Sequence, residues 1–207
     1  MTTDRITVYS DYVCPFCYLG RESLAQYQRQ RETPLEIDWH PFDLRADKRG
    51  PDGTIDHDAD DGKGEAYYAQ ARENVRRLQA EYGVEMAQEI ATDVDSLPAQ
   101  VAAVALREEH GYEAWLAFDE AVFDALWVEG RDIGDPDVLA AVAADAGADP
   151  DEVREAAADE AVRTRVREQF EEASRRAIMG VPTFAYEGQV ARGAVPPDHL
   201  QGLVEGT

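Results

Sequence analysis

An α/β fold is predicted: β-α-β, then a long all-helical stretch, then α-β-β-α. Three observations carry it. The β-like run Ile6-Thr7-Val8-Tyr9 hands over to helical spacing at Cys14-Pro15-Phe16-Cys17. Leu35-Glu36-Ile37-Asp38-Trp39 alternates apolar and charged residues, the pattern of a strand with one buried face. After Gly180 the β pattern returns as Thr183-Phe184-Ala185-Tyr186, a turn at Glu187-Gly188, and Gln189-Val190-Ala191, which together predict a hairpin.

The elements follow in order. The first helix is expected from about Pro15 to Arg31, with Phe16, Leu19, Leu24 and Tyr27 on its buried face and Thr33-Pro34 as its breaker. Pro41 ends the second strand. Residues 43 to about 64 are rich in Asp and Gly, lack periodicity, and predict a long surface loop. Helical composition then runs for about a hundred residues. Glu65 to Tyr82 puts Tyr68, Val75, Leu78 and Tyr82 on one face, with Gly83 as the stop. Leu97 to His110 follows a cap at Ser96 or Asp95, and Tyr112 to Val128 carries Trp115, Phe118, Val122, Phe123 and Leu126 inward. Asp135-Pro136 and Asp149-Pro150 are helix starts, with Glu152 placed for a capping box. The last long helix is expected from Asp159 to Met179, and a short closing one from Pro197 to Val204. The outer parts assemble into a thioredoxin-like fold, with the helical block as an insertion between the second strand and the C-terminal β-hairpin. On this reading residues 1–43 and 160–207 form one discontinuous domain, and residues 44–159 the loop and helical insertion.

Composition narrows the function. Across 207 residues, 43 acidic side chains face 20 basic ones, for a formal charge of -23. Only two of the basic residues are lysine, Lys48 and Lys63. The acids are spread along the chain, which describes a solvated acidic shell rather than an acidic tail. Such acid-rich, lysine-poor composition resembles that of proteins from salt-accumulating halophiles. Nucleic acid is excluded as a partner, since phosphate binding needs a basic patch. No apolar run approaches the length of a membrane span, and Met1-Thr2-Thr3-Asp4-Arg5 holds no apolar signal segment. A cytoplasmic location is expected, where a purely structural disulfide would be unusual.

Cys14 and Cys17 are the only cysteines, two residues apart at a strand-to-helix junction. That arrangement reads as a thioredoxin-like redox motif. Pro15 suits the first helical position and leaves Cys14 at the N-cap, beside unpaired amides and the positive end of the helix dipole. Cysteines so placed ionise at roughly 3.5–7.5, against about 8.5 for a free thiol. Cys17, one turn in, is expected to be more buried and to act as the resolving thiol. Asp11 opposes ionisation of a nearby thiol, and the helix terminus is expected to prevail if Asp11 points into solvent. A structural zinc needs four ligands, and His40, His57, His110 and His199 are scattered.

The second informative stretch is Gly180-Val181-Pro182-Thr183-Phe184, a proline directly before the hairpin. With it, the chain resembles the DsbA-family thioredoxin-fold oxidoreductases, and within them the FrnE-like group. The matching residues are Asp11 with Cys14-Pro15-Phe16-Cys17-Tyr18 and Gly20, then Pro41-Phe42 with Leu44. Phe123, Glu129-Gly130, Asp132-Ile133, the Val181-Pro182 stretch, and Gly193-Ala194 with Pro196 continue it over nearly the whole chain. The resemblance implies thiol–disulfide exchange, with Cys14 attacking, Cys17 resolving, and Val181-Pro182 joined by a cis bond against the site. The backbone before that proline would pair with an extended substrate segment. Protein or small thiol/disulfide substrates and a recycling thiol reductant are implied, and no metal or organic cofactor. Two departures stand out: Phe16 occupies a position where many members have tryptophan, and the signal peptide of the secreted members is missing.

Two other functions share these features. A glutathione-dependent transferase, or an enzyme like 2-hydroxychromene-2-carboxylate isomerase, has similar architecture but typically serine at position 14 and no second cysteine. A peptide-binding or chaperone-like module would use the groove by Pro182 with redox activity secondary. Among other residues, His40 reads as structural rather than as a proton donor. Tyr12 and Tyr18 read equally as packing or as groove walls. Trp115, Phe118, Phe123 and Trp127 read as core, and Arg175 and Arg176 as a solvated helix face.

Overall fold

The computed structural model describes residues 4–50 and 53–206, so Met1-Thr2-Thr3 lie outside the described residues. Strand β1 (Asp4–Ser10) runs parallel to β2 (Leu35–Pro41), in register from Asp4↔Leu35 to Ser10↔Pro41. Helix α1 (Pro15–Gln28) makes the crossover. Strand β3 (Thr183–Tyr186) lies antiparallel along the other side of β1, and β4 (Gln189–Arg192) pairs with β3, giving the order β2-β1-β3-β4. The strand that delivers Cys14 is therefore internal, and Cys14 emerges past its carboxyl end, where open α/β sheets carry their chemistry. Glu187 and Gly188 turn the hairpin with φ of 45° and 85°, the left-handed pair a tight hairpin favours.

Between β2 and β3 stand α2 (Glu65–Tyr82), α3 (Leu97–His110), α4 (Tyr112–Trp127), α5 (Pro136–Asp145), α6 (Pro150–Ala157) and α7 (Glu160–Arg175). Helix α8 (Pro197–Glu205) closes the chain against α1, β3 and β4. This is an α/β thioredoxin fold with a helical insertion, as the hydropathy pattern predicts. Asp135, Asp149 and Asp159 cap their helices by accepting from the N–H two residues on. Asp95 bonds the Leu97 amide at the start of α3, while the Ser96 side chain makes no cap bond. Glu152 turns away from a capping box and meets His110 at 2.5 Å.

Two helices are shorter than expected. Helix α1 stops at Gln28 because Arg31 folds back, donating to the Tyr27 hydroxyl at 2.7 Å and to Asp4 at 2.8 Å. Helix α7 stops at Arg175 rather than Met179, since Ala177 adopts the left-handed region at φ 56°. The 43–64 segment also departs from a plain surface loop. Ala46–Lys48 forms a 3-10 turn, Arg49 bridges to Ile55, and the Arg49 guanidinium lies 2.9 Å from both Asp43 and Asp95.

Sheet and insertion share one apolar core. Trp39 of β2 stacks on Trp115 of α4 at 5.9 Å, and Tyr12 meets Phe123 edge-on at 4.8 Å. The Trp127 indole donates to the Tyr12 carbonyl at 2.8 Å. At the same place a buried ion pair crosses from α1 to α4. Arg21 lies 2.6 Å from Asp119, which also accepts from the Tyr12 hydroxyl at 3.1 Å. Burial opposes the Arg21 charge, yet Asp119 and Glu120 hold it above its usual range.

Candidate active site

Cys14 caps α1 in an extended conformation (φ -94°, ψ 113°), with Pro15 at the first helical turn and no side-chain cap bond. Its sulfur is 3.6 Å from the Val181 carbonyl, to which the thiol donates. The Val181-Pro182 bond is cis. The Pro182 carbonyl accepts from Gly193 at 2.8 Å, which ties this turn to the end of β4. Gly20 makes the packing possible: a Cβ there would lie 3.1 Å from both the Pro182 ring and the Phe184 ring. The four residues picked out by the motifs thus come together from chain segments more than 160 positions apart.

The two thiols are unequal. Both are free and near disulfide distance. Both are buried, Cys14 at 3 % and Cys17 at 1 % exposed, but Cys14 lines a cleft and Cys17 does not. Burial, then the hydrogen bond with Cys14 and its charge, push the Cys17 thiol well above its ordinary range, and a hydrogen bond from the Asp11 main chain acts the other way.

Asp11 does not meet the condition of pointing into solvent. It is fully buried, and its carboxylate accepts from Val13 N at 3.2 Å, Gln100 Nε2 at 3.0 Å and Leu44 N at 2.8 Å. Burial lifts its pKa to about 6; the hydrogen bonds to Ser96, Leu44 and Val13 hold it down, and the charge of Asp43 adds to the rise.

The cleft beside Cys14 has a volume of about 120 Å³. Val13, Phe16 and Val181 line it together with Arg45, Lys63, Tyr67 and Tyr68. Those last four were missed in the sequence. The one signal available was that Lys63 is one of two lysines in an acidic chain.

The remaining candidates sit elsewhere. His40 stacks on Tyr9 and lies 3.4 Å from Asp38. Tyr12 and Tyr18 are buried packing residues, and Trp115, Phe118, Phe123 and Trp127 are core. Arg175 and Arg176 pair with Glu171 and Glu172 on the exposed face of α7. Among the described residues, one group could supply three metal-ligand atoms, Glu109, His110 and Glu152 at the surface of α3 and α6. Also among the described residues, no helix is long and apolar enough to cross a membrane.

A parallel-antiparallel sheet, a CxxC pair at a helix start and a cis-proline beside it define the class of thioredoxin-fold oxidoreductases. The chain matches the family model of the DSBA-like thioredoxin domain over residues 5–205, and it belongs to that family. It is 28% identical over 209 residues to the uncharacterized protein YwbO of Bacillus subtilis, covering 98% of this chain and 96% of that protein. Its fold is similar to that of a probable DsbA oxidoreductase from Streptomyces coelicolor, with a TM-score of 0.74, 23% identity, and 96% and 88% of the two chains covered. A 2-hydroxychromene-2-carboxylate isomerase shares the fold with a TM-score of 0.73 at 21% identity, covering 96% and 92%.

Proposed function

We propose that the protein is a thiol–disulfide oxidoreductase in which Cys14 is the nucleophile and Cys17 the resolving thiol. One observation supports this reading above the others: of two adjacent thiols at a helix start, Cys14 alone lines the cleft, and Cys17 waits behind it. The Cys14 thiolate attacks a substrate disulfide, forming a mixed disulfide and releasing one substrate thiolate. Cys17 loses its proton and attacks the Cys14 sulfur, releasing the second substrate thiolate and leaving the Cys14–Cys17 disulfide. Two electrons pass from the enzyme dithiol to the substrate. The second step follows the first because Cys17 has no disulfide sulfur to attack until the mixed disulfide has formed. Val181 and Pro182 form the substrate-facing edge, where an extended peptide or small disulfide lies against the sulfur.

The finer placement belongs to the same proposal: a FrnE-like member acting in the cytoplasm of a salt-accumulating cell and recycled by a thiol reductant. Its support is the charge of -23 with two lysines. Self-repulsion of that size is relieved once the screening length falls to about 3 Å in molar salt, so the melting temperature should climb with KCl. The intact cysteine pair weighs against the isomerase reading.

The test is reduction of an oxidised model protein such as insulin with dithiothreitol as recycling thiol. Wild-type protein should turn over, Cys14→Ser should fall to the uncatalysed rate, and Cys17→Ser should accumulate a dithiothreitol-sensitive mixed disulfide. Retained turnover in Cys14→Ser sinks the proposal.

A further inference from the structure

The cleft beside Cys14 is at odds with the rest of the surface in its charge. The chain carries more than twice as many acids as bases, yet a single carboxylate, Asp61, lines the cleft, against two cations, Arg45 and Lys63. Asp61 is already engaged: it accepts from the Lys63 amide at 3.0 Å and the Tyr68 hydroxyl at 3.2 Å, and lies 3.6 Å from the Lys63 ammonium. Among the described residues Arg45 has no such counterion. Its guanidinium donates to the Thr92 carbonyl at 2.6 Å and to the Ala91 carbonyl, and its Nε is buried without a partner. Neutral carbonyls orient a guanidinium without cancelling its charge. Among the described residues the lining of this cleft, which includes Cys14, therefore carries one more cation than anion.

Size adds to charge. About 120 Å³ accommodates a group comparable with a single amino-acid unit rather than a folded surface. Tyr67, half-exposed, and Tyr68 supply flat walls on the cation side, and the Lys63 ammonium stands 5.8 Å over the Tyr67 ring.

We propose that this cleft selects the thiol that reduces the Cys14–Cys17 disulfide, and that it takes a small carboxylate-bearing thiol of the cysteine-derivative class, with Lys63 and Arg45 as the specificity-determining cations. This rests on the thiol–disulfide exchange reading above. The first thiolate attacks the Cys14 sulfur, the Cys14–Cys17 bond breaks, and Cys17 leaves as a thiolate and takes a proton. A second molecule of the thiol attacks the sulfur of the bound one, releasing the small disulfide and the Cys14 thiolate. Two thiols are oxidised and one enzyme disulfide is reduced. The carboxylate of the first thiol sits toward Lys63, which offsets the repulsion an anion meets on approaching this acidic protein.

The experiment reduces the oxidised full-length protein with N-acetylcysteine and with its uncharged amide, alongside dithiothreitol. Each rate is divided by the same thiol's rate with hydroxyethyl disulfide, which cancels intrinsic nucleophilicity. Wild-type protein should favour the carboxylate form by about threefold to fivefold, the range a partly exposed ion pair supplies. Lys63→Gln should bring the ratio close to one. Lys48→Gln, on the same segment but bonded to the His57 carbonyl outside the cleft, should keep the wild-type ratio. Equal rates in the wild type, or a preference that survives both Lys63→Gln and Arg45→Gln, overturns the proposal. A native disulfide that dithiothreitol itself cannot reduce overturns the exchange reading beneath it instead.

Discussion

Asp11 and Asp119 are both fully buried carboxylates beside the redox loop, and they are held in opposite ways. Asp119 has a cation: Arg21 at 2.6 Å, with the Tyr12 hydroxyl as a second donor. Asp11 has none within ion-pair distance among the described residues, and rests on two backbone amides and the Gln100 amide. The first arrangement is a strut that joins α1 to α4 across the interface of sheet and insertion. The second is a buried acid beside Cys17 whose proton is held to about pH 6 by burial. Burial raises the carboxyl pKa of both; at Asp119 the Arg21 charge and hydrogen bond oppose the rise, whereas at Asp11 only neutral hydrogen-bond donors do.

Removing the strut should have the largest effect. Asp119→Ala strands the Arg21 guanidinium in the interior, which costs about 3–5 kcal/mol, read as a large drop in the denaturant midpoint. Replacing both partners, as in Arg21→Met with Asp119→Leu, should recover most of the loss. If the single and double variants are equally unstable, the pair is not what makes the site costly to disturb.

The next effect is a pH dependence. Asp11 ionises at 3.8 in its ordinary state and at about 6 in the folded chain. Folding raises this pKa, so the carboxyl's contribution to stability is fully present below pH 3.8 and is lost as pH rises through 6. At neutral pH the ionised group opposes folding by about 3 kcal/mol. Asp11→Asn stays neutral throughout. Between pH 4 and 7 the wild type should therefore lose about 2.4 kcal/mol more than this variant in urea unfolding. A constant gap between the two across that range would mean that Asp11 ionises alike folded and unfolded.

The smallest effect lies on the far side of the loop. Gly20→Ala gains about 0.5–1 kcal/mol of helix propensity, but its Cβ would crowd Pro182 and Phe184 at 3.1 Å. Overpacking costs about 1–3 kcal/mol, so a net loss of about 1 kcal/mol is expected by thermal unfolding. A stabilised variant would show that the Pro182 turn gives way freely.

The same contrast explains what was legible in the chain itself. Cys14, Pro15 and Cys17 are read locally, as are the Asp-Pro helix starts and the Glu187-Gly188 turn, because their chemistry acts within a few residues. The fate of Asp11 is not local. Its partners Leu44 and Gln100 are 33 and 89 positions away, so the local sequence leaves open whether this acid is buried or in solvent. Tyr12 and Asp119 are 107 positions apart, and nothing in either neighbourhood signals their bond. The 43–64 segment looks unstructured because an Arg49 side chain gripping Asp43 and Asp95 leaves no periodicity to read. Helix ends were misjudged where a single residue decides, as Ala177 does for α7.

Both lysines of the chain belong to that same pinned segment, and of the two Lys63 lines the cleft that includes Cys14. Acylating reagents that seek primary amines therefore find few targets in this protein, and one of them reports directly on the mouth of the site. A molecule resting there would shield one amine and leave Lys48 reactive, so peptide mapping after brief labelling becomes a footprint of occupancy that needs no turnover at all.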